Sequence, residues 1–389
     1  MPTRFLQAAL FLLLVLMAGK PMAAELNLTQ NQLPVALGPY LDHLEDSSGQ
    51  LKITDIINGN FDWQRSNQSI PTLGMSASAH WFSIVFTGVQ VPEDELLLSL
   101  ASPTLDRVEF YFVQNKQLVK QAVTGDTVPF SDLEFPYRYP IVPFQLSNAD
   151  QTTVYIRVQS ISGVEMQLGL TTAVLLIAEQ QADFVFFGAF YTFFILSFCF
   201  CAIIYYAWRE SQFRGYTLFF GASIVFFLAE NGTGRLWLWG DQGDFNNRLA
   251  YVSAIAMIAS FCLLGQSLNL NNKYRDSVVI VLRLITFATI PLGLYFFMVP
   301  IEQITTGNVL MIMYLALTVA LTVFVMTGIT ALQGSRSAVY LFFFLGIPGP
   351  CLRLVPGFQA QYYRAKPGLL DHRAVSGFSC RSANYAVLI

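Results

Sequence analysis

The sequence predicts an exported all-β sandwich of jelly-roll type followed by an all-α bundle of transmembrane helices. Three observations predict it. Hydrophobic residues make up 54% of the 389 residues and charged residues only 12%, whereas a soluble globular chain carries about 25% charged residues. The apolar excess is confined to one part of the chain. Residues 25–180 have an ordinary soluble composition, while residues 182–347 are mostly Phe, Leu, Ile, Val and Ala. The first part alternates with the period of a strand, and the second holds runs long enough to cross a bilayer. The net charge of −3 is too small to point to nucleic acid or to a strongly acidic partner.

Residues 1–24 have the layout of a signal peptide: Arg4 in the positive region, an apolar stretch from Phe5 to Ala18, and small residues at Ala23 and Ala24. Pro21 and Met22 make the cleavage site imperfect, and an uncleaved anchor is the alternative; either way the following domain is exported. Within 25–180, Trp81–Phe86 sets Trp81, Ser83 and Val85 on one face and Phe82, Ile84 and Phe86 on the other. In Leu105–Val113 the apolar face is Val108, Phe110 and Phe112, and in Thr153–Ser160 it is Val154, Ile156 and Val158. Further strands are expected over 95–101, 117–123, 139–146 and 165–174, with turns at Gly125-Asp126, Asn148–Asp150 and Ser162-Gly163. At least seven short strands and no long helix predict an antiparallel sandwich.

A membrane span needs roughly 20 mostly apolar residues. The runs 184–208, 215–229, 249–268, 278–299 and 307–332 meet or approach that length, and a sixth begins at Ala338. Loop charges give the orientation. Loops expected inside carry Arg209, Arg214, Lys273, Arg275 and Arg336, against Arg235 and Arg248 outside. The exported domain is therefore expected on the outer face of the membrane, opposite the positively charged loops. Trp237 and Trp239 suit an interfacial belt. The sixth run stops at Ile347-Pro-Gly-Pro350, after about ten residues, too few to cross about 30 Å as a helix. Residues 348–389 have no period, and the expectation is an aberrant, disordered tail produced by a reading frame that departs near Ile347. A genuine cytoplasmic tail after a re-entrant segment is the alternative.

Cys199, Cys201 and Cys262 lie in apolar runs, and no cysteine falls within 25–180, so that domain must fold without an internal disulfide. With three histidines and no HExxH, CxxC, GxGxxG or Walker A pattern, no cofactor, metal site or enzymatic chemistry is expected.

Several segments carry a resemblance. They are His80–Phe86, Leu105–Tyr111, Thr124-Gly-Asp126, Pro129–Ser131, Tyr137–Phe144, Thr153–Ser160, and a first span with Gly188, Tyr205-Tyr206 and Arg209. In this order the chain resembles, over residues 35–345, the bacterial seven-transmembrane receptors with diverse intracellular signalling modules, with the second type of extracellular domain. The resemblance implies a sensor whose exported domain binds a small molecule such as a carbohydrate and signals through seven helices to a cyclase, kinase or phosphatase. The sequence departs from that pattern in having five full spans, part of a sixth and no recognisable output module. Partners expected are membrane lipid, a small-molecule ligand and a second copy of the chain.

Candidate ligand-binding residues are Trp81, as a sugar-stacking platform, and Arg138 and Arg157, as holders of an anionic or hydroxylated group. Core packing for Trp81, and ion pairing for the two arginines, are the plainer readings. Glu230, at the end of the second span, is a candidate for membrane signalling because ionisable groups near a bilayer are costly. Arg283 can snorkel to the nearer interface. Besides a signalling receptor, the sequence leaves open a non-signalling remnant or a membrane-tethered binding module. A transporter would call for paired intramembrane charges or inverted repeats, and neither is seen.

Overall fold

The computed structural model describes residues 25–29, 33–90, 96–144, 151–267, 275–333 and 338. The expected signal peptide, the tail over 348–389 and nearly all of the sixth apolar run lie outside the described residues. The chain divides into two compact units, Met1–Ser267 with Asn272–Val323, and Leu268–Asn271 with Phe324–Ile389. The first holds all the features discussed below. The described part of the second is the end of one helix, where Thr330 Oγ1 donates to the Met326 carbonyl at 2.8 Å.

Among the described residues, thirteen strands precede the long helices. The larger sheet runs in the order β4 (Gln64–Arg65), β3 (Asp42–Asp46), β6 (Ala79–Gln90), β11 (Gln151–Gln159), β8 (Arg107–Gln114), β9 (Gln117–Thr124), with β1 (Glu25–Thr29) also on β6. The smaller sheet is β10 (Ile141–Phe144), β7 (Leu96–Leu100), β13 (Leu168–Thr172), β2 (Val35–Ala36). A third pair joins β5 (Thr72–Met75) to β12 (Gly163–Glu165). The alternation read in the sequence fixes which faces meet. Phe82, Ile84 and Phe86, Val108, Phe110 and Phe112, and Val154, Ile156 and Val158 pack in one core with Leu96, Leu98, Leu100, Val142, Leu168 and Leu170 of the other sheet. The result is a β-sandwich.

Both sheets are covered on their outer faces as well. Trp81 and Tyr111, on the far side of the larger sheet, pack on Ile56 from α1 (Ile53–Asn58), with Leu44, Leu51, Ile53, Phe61, Trp63 and Tyr155 around them. The excursion from β3 to β4 therefore acts as a second, smaller core. Asp46 shapes its start, its carboxylate accepting from the backbone N–H groups of Ser48, Gly49 and Leu51 at 3.1, 2.9 and 3.0 Å. On the smaller sheet Leu97 packs with Tyr137, Ile141 and Leu176. This double coverage explains why all five residues of β7 are buried and how a domain without cysteine holds together.

Strand β13 passes directly into helix α2 (Ala173–Trp208), and the Thr172 side chain caps it by accepting from Leu175 N–H at 3.5 Å. Helices α3 (Ser211–Glu230), α4 (Gly243–Ser267), α5 (Arg275–Met298) and α6 (Thr306–Leu332) follow. All five are long and apolar enough to cross a membrane. Val185, Leu196, Leu294 and Leu317 stand more than half exposed on them, which only a lipid solvent makes favourable. Arg283 points outward on α5, as snorkelling requires.

On the sandwich, His43 Nε2 and His80 Nδ1 lie 3.1 Å apart between β3 and β6. Burial holds both imidazoles below the ordinary value of 6.5, and the His80 ring further disfavours protonation of His43, against a smaller opposing effect of Glu45. The folded state thus takes up fewer protons than the unfolded chain. The stabilising contribution is present above pH 6.5 and lost as the pH falls below it. Thermal unfolding of wild type from pH 8 to pH 5 is expected to show this loss, and a His43→Gln/His80→Gln variant to show less of it.

Candidate functional site

The polar groups of the chain converge where the sandwich meets the helices. Arg138 lies in the Tyr137–Pro140 segment ahead of β10. Its side chain is 8% exposed and forms an ion pair with Asp183 of α2. Its guanidinium sits 5.0 Å from the Tyr139 ring centre and 5.3 Å from that of Phe187 on α2. Leu176, Asp183 and Phe187 are spaced to share one helical face, so one stripe of α2 meets the smaller sheet and the Arg138 segment. A guanidinium taken out of water needs such an anion, because the unpaired charge would be strongly destabilising.

The segment joining α3 to α4 makes the second set of contacts. Gly232 has φ +67°, and a Cβ there would collide with the Arg138 carbonyl. Arg235 opens a π-helical turn (Arg235–Trp239) and reaches into the sandwich. It donates through Nη1 to the Gly125 carbonyl at 2.8 Å and through Nη2 to the Val128 carbonyl, and its guanidinium lies 5.5 Å from the Phe130 ring centre. The Asp241 carboxylate accepts from Ser131 N–H at 2.6 Å. Asn247, one turn into α4, donates to Asp126 Oδ1 at 3.2 Å. Asn246 steadies the segment by donating to the Ala229 carbonyl at 3.3 Å and accepting from Trp239 Nε1 at 3.1 Å.

The Thr124-Gly-Asp turn is built to receive these groups. Gly125 has φ +129°, and a Cβ would strike the backbone of Asp106. Asp126 is 2% exposed. Burial, and then the charge of neighbouring Asp106, hold its carboxyl well above the usual carboxylate range. Asp106 is itself tied down, accepting from Ser160 Oγ at 2.9 Å and Ile161 N–H at 2.7 Å. Burial also raises its carboxyl above the ordinary value.

The four candidate residues fall into two groups. Arg138 and Glu230 both come to this junction: Glu230 ends α3, two residues before the Gly232 that abuts Arg138. Trp81 and Arg157 face each other across β6 and β11 on the larger sheet. Trp81 is fully enclosed and stacks on Tyr111 with ring centres 5.7 Å apart, so it offers no surface for stacking a sugar. Arg157 pairs with Glu109 at 3.6 Å and donates to the Gly49 carbonyl at 3.1 Å and to Gln159 at 3.0 Å. Glu109 also accepts from Arg107 and Tyr111, both at 2.8 Å. Among the half-buried aromatic residues of this face, Trp63 and Tyr155 have ring centres 6.1 Å apart, and Phe61 lies in the same cluster. Sequence reasoning passed over Trp63, Asp183 and Asn247, and used Arg235 only as a loop charge. The only signal for the last three was a polar side chain within or beside an apolar run.

A folded sandwich locked by a strand-to-helix junction onto a bundle with apolar exposed faces is the build of a membrane receptor. Family comparison agrees with it in both halves. The model described as "7TMR-DISM extracellular 2" matches residues 38–172, and the one described as "7TM diverse intracellular signalling" matches residues 183–347. The chain belongs to this family of seven-transmembrane receptors with diverse intracellular signalling modules, and is a multi-pass membrane signalling receptor. No curated protein matches it.

Two measurements check the junction. Arg138→Leu leaves Asp183 without its cation and is expected to cost about 3 kcal/mol. A double-mutant cycle with Asp183→Leu should return a favourable coupling, and additive effects would refute the pairing. Gly232→Ala is expected to lower the thermal midpoint of the intact protein and raise amide exchange over 231–247, whereas Gly163→Ala, where a Cβ meets nothing within 4 Å, should leave exchange over 231–247 unchanged.

Proposed function

We propose that the sandwich senses a small hydroxylated ligand, of which a carbohydrate is the natural class. Binding is relayed through the junction to the helices and so to an output module on the far side of a bacterial inner membrane. The observation that carries the relay is the double attachment of the sandwich: through β13 and Arg138 to α2, and through the Gly125–Ser131 turn to the α3–α4 segment. A ligand drives such a relay only if it binds one arrangement of the junction better than another. The strand alternation and the loop charges support an outward-facing sandwich. For the ligand, the half-buried rings of Trp63 and Tyr155 beside the Arg157–Glu109 network support recognition of apolar ring faces and hydroxyl groups together. Nothing in the arrangement favours covalent chemistry, and we read the chain as a receptor and not an enzyme.

The test uses the full chain in lipid nanodiscs and a panel of mono- and oligosaccharides. Thermal stabilisation by a panel member is expected in wild type, with at least a tenfold weaker effect in Trp63→Ala. Amide exchange over 231–247 should respond to that sugar in wild type and not in Arg138→Leu. Binding without any response over 231–247 would favour the membrane-tethered binding module, and no binding across the panel would overturn direct sugar sensing.

A further inference from the structure

Three carboxyl groups and one guanidinium meet at the junction. Asp106 comes from the connection before β8, Asp126 from the Thr124-Gly-Asp turn, Glu230 from the end of α3 and Arg235 from the π-helical turn. The neutral groups facing Asp126 are Asn247 and, from α4, Tyr251. Ionised throughout, this set would carry two uncompensated negative charges around a side chain that is 2% exposed, which a dry site does not tolerate. The hydrogen bonding bears on which group is neutral. Asp126 Oδ1 accepts from Asn247, but its buried Oδ2 has no partner among the described residues. Arg235 spends Nη1 and Nη2 on the Gly125 and Val128 carbonyls, and its buried Nε also has no partner among them. An anionic Asp126 beside a free guanidinium N–H would be expected to pair with it.

We propose that Asp126 is a proton-binding site and that proton uptake is a second input to this receptor: the docked junction is the state in which Asp126 holds a proton. Loss of that proton places a charge beside Asp106 and Glu230. It also offers Arg235 a carboxylate in place of the two carbonyls through which it grips the sandwich. Because the docked state binds the proton and the separated state releases it more easily, docking is favoured at acid pH and weakens as the pH rises. This is opposite in sign to the effect of the His43–His80 pair, which weakens the sandwich on acidification.

The experiment is hydrogen exchange over Gly125–Ser131 in the full chain in nanodiscs, from pH 5 to pH 8, corrected for the intrinsic pH dependence of exchange. Wild type should lose protection about tenfold per pH unit from the acid end and level off where Asp126 of the docked state itself ionises, as release of one proton dictates. Asp126→Asn, which imitates the protonated side chain and leaves both histidines in place, should stay protected with no slope. Asp106→Asn removes a like charge that acts on docked Asp126 and should bring the levelling point down by about one pH unit, a result that also decides the question should Asp126→Asn not fold. Flat protection in wild type, an undiminished slope in Asp126→Asn, or an unmoved levelling point in Asp106→Asn would each overturn the proposal. No ligand is involved, so failure here and failure of sugar sensing are separate outcomes.

Discussion

The half-buried ion pair between Arg138 and Asp183 is the constraint on which the rest of the junction depends. Removing a guanidinium from water is costly unless an anion and several acceptors surround it, and here the anion belongs to a different domain. The side chain of Arg138 therefore fixes which face of α2 turns toward the smaller sheet. Its backbone carbonyl meets Gly232, so the same residue also fixes how close the α3–α4 segment comes. The aromatic rings of Tyr137, Tyr139 and Phe187 pack around the Arg138 guanidinium and shield it from water.

The double coverage of the sandwich has a functional consequence. With both faces of the larger sheet occupied, its strands cannot offer an open groove, and Trp81 is spent on packing. Recognition then falls to the rim of the β3–β4 excursion, where rings are only half buried and side-chain polar groups are already held in place. Such preorganised groups lose little freedom on binding. The excursion is also a local fold with its own small core, and such parts open more readily than a central sheet.

The regular parts of this fold were legible in the sequence because period and length report burial directly. Strands β6, β8 and β11 alternate without interruption, and their predicted inward residues are the core residues. The five spans were found by length, each within a few residues except for α2, which begins eleven residues earlier because Thr172 caps it directly after β13. Short β2, β3 and β5 and helix α1 were missed because a few residues carry no period. Arg138 and Glu230 stood out as charges in unfavourable company, which a single sequence can show. Their partners could not be found, since Asp183 lies 45 residues from Arg138 and Asn247 lies 121 from Asp126, and a polar residue at the edge of an apolar run looks like an ordinary helix boundary. Trp81 illustrates the converse: alternation placed it opposite the core, and only the covering excursion shows that this face is dry too.

The two attachments of the sandwich differ in kind, and the difference indicates how a signal moves. Helix α2 is joined by continuous chain from β13, by a cap and by a half-buried ion pair. The α3–α4 segment is held by hydrogen bonds to backbone groups and to one buried carboxyl, with no ion pair to the sandwich among the described residues. Chain continuity from β13 means that α2 cannot leave the sandwich, whereas the hydrogen-bonded segment can let go one contact at a time, exchanging each for water. A change in the sandwich therefore carries α2 with it and strains the other attachment first. The expected motion is a displacement of α2 relative to α3 and α4, with the Gly125–Ser131 turn as the part that lets go. That is a two-state element of the kind a receptor needs, made from a strong hinge and a weaker latch.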